Sequence, residues 1–141
     1  MATLGNTRRA YITIGSSGTP TTWLAGEQTN SFNRTAEAIE VSDKSTVWAQ
    51  FISGKRGATA EITVYTDDTS AGPQYNAIKA LHQGLTVRVF IGVLSGSSPS
   101  EGDVFTAVVT NVGDTNDNGS VATRNISLTA SGEVTHYPTL S

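Results

Sequence analysis

The chain has 141 residues, which suits one domain able to bury roughly two-thirds of its unfolded surface without covalent staples. It has no cysteine, which excludes disulfide frameworks and thiolate metal sites. Its net charge is −3, with only 9 Lys and Arg, and its longest basic runs are the pairs Arg8-Arg9 and Lys55-Arg56, so the run of cations that marks a phosphate-gripping protein is missing.

In chain order, the first segment, MATLGNTRRAYITIG, lacks the apolar stretch of a secretion signal, and no later apolar run approaches the roughly 20 residues of a membrane span. The expectation is a protein made in a reducing cytoplasm. Residues 1–10 read as a weakly structured N-terminal arm and 8–14 as a weak strand, with further weak strand candidates at 22–33, 35–41 and 46–52. The Gly-flanked stretch 42–57, which holds the breaker Ser53-Gly54-Lys55-Arg56-Gly57, reads as a loop. Period-two alternation is clear at 58–66, where Ala58, Ala60, Ile62 and Val64 oppose Thr59, Glu61, Thr63 and Tyr65.

Residues 73–83 form the one expected helix. Pro73 suits the first helical position and Gly84 the residue past the end, and Tyr75, Ile78 and Leu81, with Ala77, give an apolar stripe. Three strands follow. Residues 86–94 put Val87, Val89, Ile91 and Val93 on one side, and 103–112 are apolar on both faces. Residues 121–134 alternate cleanly except for Arg124 on the apolar face. Residues 135–141 read as a short tail. The whole is one mainly β domain: an antiparallel sandwich or barrel with one flanking helix.

No catalytic constellation emerges. Asp114-Thr115-Asn116-Asp117-Asn118-Gly119 matches the first half of a calcium loop, but the twelfth position is Asn125 where a bidentate Glu is required, and Asn118-Gly119 is a hairpin-turn signal. His82 and His136 lack companions for a zinc site or triad, and no Ser sits in a nucleophile elbow. Asp67-Asp68 favours the helix start over acid–base work. Trp23 and Trp48 sit among polar residues, as interface anchors, core residues, or sugar-stacking platforms. Charged residues make up 15%, against roughly 25% in an average soluble domain. Thr and Ser fill 36 positions. Such a weakly charged surface costs little to desolvate between subunits, and equally describes a Thr-rich β protein.

The order of elements carries a resemblance. A weak first strand leads to the alternating acidic segment Ser31 to Ser42, then to the Trp-containing stretch Thr46-Val47-Trp48 and its Gly loop. The strand Ala60 to Tyr65, an Asp-rich turn and the single helix follow. Gly102-Asp103-Val104-Phe105 opens the next long strand, and Ser131-Gly132-Glu133-Val134 closes the last. Over nearly its whole length the chain resembles the major tail tube proteins of long-tailed bacteriophages and gene transfer agents.

That resemblance implies a structural virion protein, not an enzyme and without a cofactor. Homohexameric rings would stack into a tube through which DNA passes without specific binding, alongside tape-measure, terminator and baseplate or tip proteins. The location would be the virion tail, assembled in the host bacterial cytoplasm. Arg8, Arg9, Lys44, Trp48, Lys55 and Arg56, on the N-terminal arm and in the loop, would serve contacts between subunits and rings. Glu27, Thr29, Glu37, Glu61, Thr63 and Asn111 are the candidates for the channel lining, their carboxylates repelling phosphate. The competing readings are a carbohydrate- or receptor-binding β-sandwich of a tail tip or adhesin and a related effector tube of a contractile secretion machine.

Overall fold

The computed structural model describes residues 8–15, 17–24, 26–45, 47–66, 72–96 and 98–138. It contains β1 (Arg9–Ile14), β2 (Glu27–Glu40), β3 (Phe51–Tyr65), α1 (Pro73–Gln83), β4 (Thr86–Ser95), β5 (Ser98–Thr115), β6 (Thr123–Ala130) and β7 (Thr135–Tyr137). One antiparallel sheet runs in the order β1-β4-β5-β6-β3-β2, with β7 beside β5. The sheet curls until its two ends meet. Tyr11 bridges to Trp23, the Leu24 amide donates to the Ala10 carbonyl (3.0 Å), and the Ala10 amide donates to the Glu27 carboxylate (3.1 Å).

The core fills the inside of this curl. Ile12, Leu24, Ile62, Val64, Val87, Val89, Phe105, Ile126 and Leu128 are fully or almost fully buried. Each such large side chain contributes roughly 1.5–3 kcal/mol through burial. These are the inward members of the alternating runs, so the period-two pattern sets which face each strand buries.

Helix α1 covers the core with a different face from the one its apolar residues suggest. Gln74, Ala77 and Ala80 are buried, whereas Tyr75 and Leu81 are exposed. Two alanines present little bulk, so the helix backbone can approach the sheet closely. Gln74 is tolerated inside because both ends of its amide bond: Nε2 donates to the Tyr65 carbonyl (2.9 Å) and Oε1 accepts from Arg124 Nη1 (2.9 Å). Arg124, only 5% exposed, also donates from Nε to Asp114 (2.6 Å). The charge that interrupts the apolar face of β6 is thus a paired, buried cation tying α1 to the sheet. Gly84 ends the helix at φ +68, its amide bonded to the Ala80 carbonyl.

A second, smaller cluster of Tyr11, Phe90 and Val104 lies on the other face of β1, β4 and β5, with Leu94 and Tyr137 packed against it. Here β4 and β5 cross at Gly92 and Gly102, which pair directly at φ +155 and +131. A Cβ on either would sit 2.0–2.2 Å from a carbonyl oxygen of the facing strand, so only glycine permits this approach.

Several boundaries depart from those read in the sequence. The segments 22–33 and 35–41 join into the single strand β2, with register shifts between Glu27 and Thr29 and between Ala36 and Ala38. The stretch 42–57 is not one loop. Residues 51–57 belong to β3, and the connection is 41–50. Gly54 is spanned because it lies at a bulge in a ladder that continues on both sides, and Gly57 pairs regularly with Thr35. Residues 46–52 are mostly this connection instead of a strand. In the N-terminal segment Arg9 and Ala10 already belong to β1, and the C-terminal segment opens with β7. Residues 1–7, 67–71 (with Asp67-Asp68) and 139–141 lie outside the described residues.

Burial of Tyr11 raises its phenol pKa above the ordinary 10.0; the Arg9 charge opposes the shift and Glu27 adds to it. The folded state therefore keeps its proton after the unfolded chain has lost it. This contribution to stability is fully present below pH 10 and is lost as pH rises through the raised folded value. Unfolding measured by urea from pH 8 to 11 should show the wild type losing stability relative to Tyr11→Phe only above about pH 10. Parallel pH profiles for the two proteins would contradict this.

Candidate assembly surfaces

The β2–β3 hairpin extends beyond the body as an arm. β6 supports β3 only as far as the Thr59–Thr129 pair, and from Thr35 and Gly57 outward the hairpin is two-stranded. Six residues of β2 beyond that point span about 20 Å at ~3.3 Å each. The ladder is continued by the Val41 amide donating to the Gln50 carbonyl (2.8 Å) and the Gln50 amide donating to Ser42 Oγ (2.6 Å). Asp43 Oδ1 accepts from the Ser45 amide (2.8 Å) and hydroxyl (2.6 Å), shaping the turn. Gly54 faces Glu37 and Ile39, and a Cβ there would fall 2.9 Å from the Ile39 side chain.

This arm has polar residues where solvent would require them, yet it also exposes Ile39, Val41, Phe51 and Ile52, with Val47 and Trp48 at 94% and 84% exposure near its tip. A concentration of large apolar groups on one projecting element marks an interaction surface. Lys44, Trp48, Lys55, Arg56 and Glu37 all lie on the arm. Arg8 and Arg9 lie at the start of β1. Arg8 pairs with Glu101, and the Arg9 guanidinium covers the Trp23 ring at 4.1 Å. They border an open cleft of about 750 Å³, with Trp23, Glu27 and Asn30 among its walls.

A second surface is the outward face of β2, β3, β6 and β5. Cross-strand pairing sets residues in rows: Thr29, Thr63, Asn125 and Gly113; Ser31, Glu61, Ser127 and Asn111; Asn33, Thr59, Thr129 and Val108. Glu61 is the one ionisable side chain in these three rows. Glu61, Thr63 and Asn111 are thereby brought together, with Thr29. Glu27 does not join them: Gln28 is an extra residue in the ladder, so Glu27 pairs with Val64 and turns to the inner side. Its carboxylate there accepts from the Ala10 amide and from Asn30 Nδ2 (2.7 Å). Glu37 keeps the facing of Thr29, Ser31 and Asn33 but sits on the arm, beyond the end of β6, so it does not join the rows. A one-residue bulge reverses every facing beyond it on its own strand, and nothing in the local sequence marks the one at Gln28.

The same four strands leave two edges open. Among the described residues β2 is an end strand, paired on one side only through Glu27–Glu40. β5 pairs with β4 up to Val108 and with β6 on its other side, so among the described residues 109–115 have no strand along the β4 side. Unpaired edges of this length invite pairing with another chain.

The acidic turn is occupied structurally. Asp114 holds Arg124, the Ser120 amide donates to the Asp117 carbonyl (3.1 Å), and Gly119 takes φ +83. Among the described residues no three His, Asp or Glu groups gather as for a metal. His82 lies in the last turn of α1, whereas His136 lies on β7 with Nδ1 2.9 Å from Asp103. Asp103, 2% exposed, is read in the sequence only as part of the Gly-Asp opening of its strand and given no role at a site. A charge at an inward position of an otherwise apolar strand was the available signal.

No protein-family model matches the chain. No curated protein matches it either. Solved structures do. A chain from the tail of an empty gene transfer agent particle, refined with C6 symmetry, superimposes with TM-score 0.79 at 14% identity, covering 96% of this chain and 98% of that one. A chain from the virion of a native gene transfer agent gives 0.77 at 13%, covering 96% and 98%. The SPP1 tail tube gives 0.68 at 14%, covering 92% and 76%. The likeness is one of fold: the mainly β, one-helix architecture here is that of tail tube chains.

Proposed function

We propose that this chain is the building block of a tail tube: copies join edge to edge into a hexameric ring, and rings stack into a channel that conducts DNA. The observation that carries this reading is the pair of open edges that flank the four strands β5, β6, β3 and β2 of the sheet. Neighbouring strands alternate in direction across β5, β6, β3 and β2, so the two edges run oppositely. A copy rotated about an axis along the strands would set its β5 antiparallel to the β2 of its neighbour, which is the pairing both edges can accept. An interface between two unlike edges closes into a ring by rotation, and closure removes the edges. The sixfold symmetry of the gene transfer agent tail supports six copies. Six copies of four strands would make a barrel of about 24, and barrels of roughly 16–18 already leave an aqueous channel.

The outward face then lines the channel. Hydroxyls and amides dominate it, and Glu61 repeats as a ring of carboxylates that repel phosphate, so DNA slides without being held. The arm, with Trp48, Val47, Lys44, Lys55 and Arg56, contacts neighbouring copies within or between rings. Arg8 and Arg9 sit on the opposite end of the sheet order and contribute to stacking beside the N-terminal segment. Tape-measure, terminator and tip proteins are the expected partners, the virion tail the location, and the host bacterial cytoplasm the place of assembly. A sugar-binding role is less well supported, because Arg9 covers one face of Trp23 and Trp48 stands on a projecting hairpin and not in a groove.

Electron microscopy of the purified protein, alone and with its tail partners, should show rings or tubes roughly 80–100 Å across, several domain widths. Single particles under every condition would refute the proposal. Val47→Ser with Trp48→Ser should shift unfolding free energy by no more than about 0.5 kcal/mol while abolishing tubes. Normal tubes would remove the arm from the interface. Glu61→Lys should assemble but release DNA more slowly in an ejection assay; failure to assemble would place Glu61 at a subunit contact instead.

A further inference from the structure

The arm carries almost no contact with the body along its length, yet its root is firmly held. Phe32 on β2 stacks on Phe105 of β5, centroids 4.9 Å apart. Two residues on, Arg34 passes over the Phe32 ring at 4.8 Å and pairs with Asp103, itself two residues before Phe105. The two strands thus face each other in two rungs, one aromatic and one ionic, across the end of the core. Beyond Arg34 and its partner Ala58, no described residue of the arm is buried. The ionic rung is therefore the outermost clamp on the arm.

Asp103 is also shared. Its Oδ2 takes Arg34, and its Oδ1 faces His136 Nδ1 at 2.9 Å on β7, the last strand of the chain. A carboxylate only accepts, so His136 carries its proton on Nδ1 and donates. Because Asp103 is buried, the carboxylate has few other positions to adopt, and losing either partner leaves a desolvated charge half satisfied. The β7 ladder pairs His136 directly opposite Asp103, so the geometry of the C-terminal strand fixes where the carboxylate stands.

We propose that Asp103 is a positioning residue that sets the direction of the hairpin arm and couples it to the C-terminal strand. The protomer then presents its arm at one angle before meeting any partner, and displacement of β7 releases it. This concerns the isolated protomer and holds whether or not the chain builds a tube.

The absence of cysteine permits clean labelling. Spin labels on Ser53→Cys in the arm and Gln83→Cys at the end of α1 report the arm–body distance by pulsed electron resonance in the monomer fraction from gel filtration. The parent should give one narrow distribution. Asp103→Asn and Arg34→Met should each broaden it about twofold, and the double variant no further, since both remove one interaction. His136→Ala should broaden it as well, with Arg34 intact. Should Asp103→Asn fail to fold, Arg34→Met still decides, because it leaves Asp103 bonded to His136. A parent distribution already as broad as that of Arg34→Met, or unchanged widths in folded variants, would overturn the clamp. Broadening by Arg34→Met without broadening by His136→Ala would overturn the coupling to β7.

Discussion

Backbone hydrogen bonding that one copy leaves incomplete is the constraint on which the structure turns. The sheet solves the problem over most of its length by curling until β1 meets the segment before β2, where the Ala10 amide donates to the Glu27 carboxylate. It does not solve it along β2 or along the second half of β5. Proteins that work alone blunt such edges with charge, proline or a covering loop. Here the open β2 edge is fourteen residues long and the outward faces beside it are hydroxyl- and amide-rich. A surface that is polar but nearly uncharged is compatible with both water and a neighbouring backbone, which suits a chain completed by its own copies.

A division of labour follows from the two faces of the strands. Inward residues make a core that would stabilise the chain alone, and within it the buried Gln74 and Arg124 bind helix to sheet, with the exposed Asp114 pairing Arg124 from outside. Outward residues add little to that stability, which leaves them free to be chosen for what touches them in an assembly. The arm extends the same logic. It is a hairpin with apolar residues but no core, anchored at one end by Phe32, Arg34 and Asp103. Its low intrinsic stability is consistent with an element that gains its packing from another chain.

Much of this was legible in the residues. Alternation at 58–66 and 121–134 gives the strands and their inward faces, and Pro73 with Gly84 brackets the helix. What was hidden depends on tertiary geometry. Of the stripe Tyr75, Ile78 and Leu81 with Ala77, the structure buries Ala77 and half-buries Ile78 but exposes Tyr75 and Leu81, because close packing favours the face of Ala77 and Ala80. Glu27 and Glu37 were grouped with Glu61 by alternation, but the extra residue Gln28 turns Glu27 inward and Glu37 lies past the end of β6, on the two-stranded arm. The Gly-rich stretch at 53–57 reads as a break because a bulge needs the same permissive residues as a turn. Asp103 and Arg34 lie 69 residues apart, and no local pattern could join them.

Hydrogen exchange at single-residue resolution, compared between monomer and assembled material, tests the central claim most directly. The account predicts that amides of 29–40 and 109–115 exchange rapidly on their open sides in the monomer and become protected together on assembly, while those of β4 and β6 change little. Assemblies in which both stretches exchange as fast as in the free protomer would show that copies meet through some other surface.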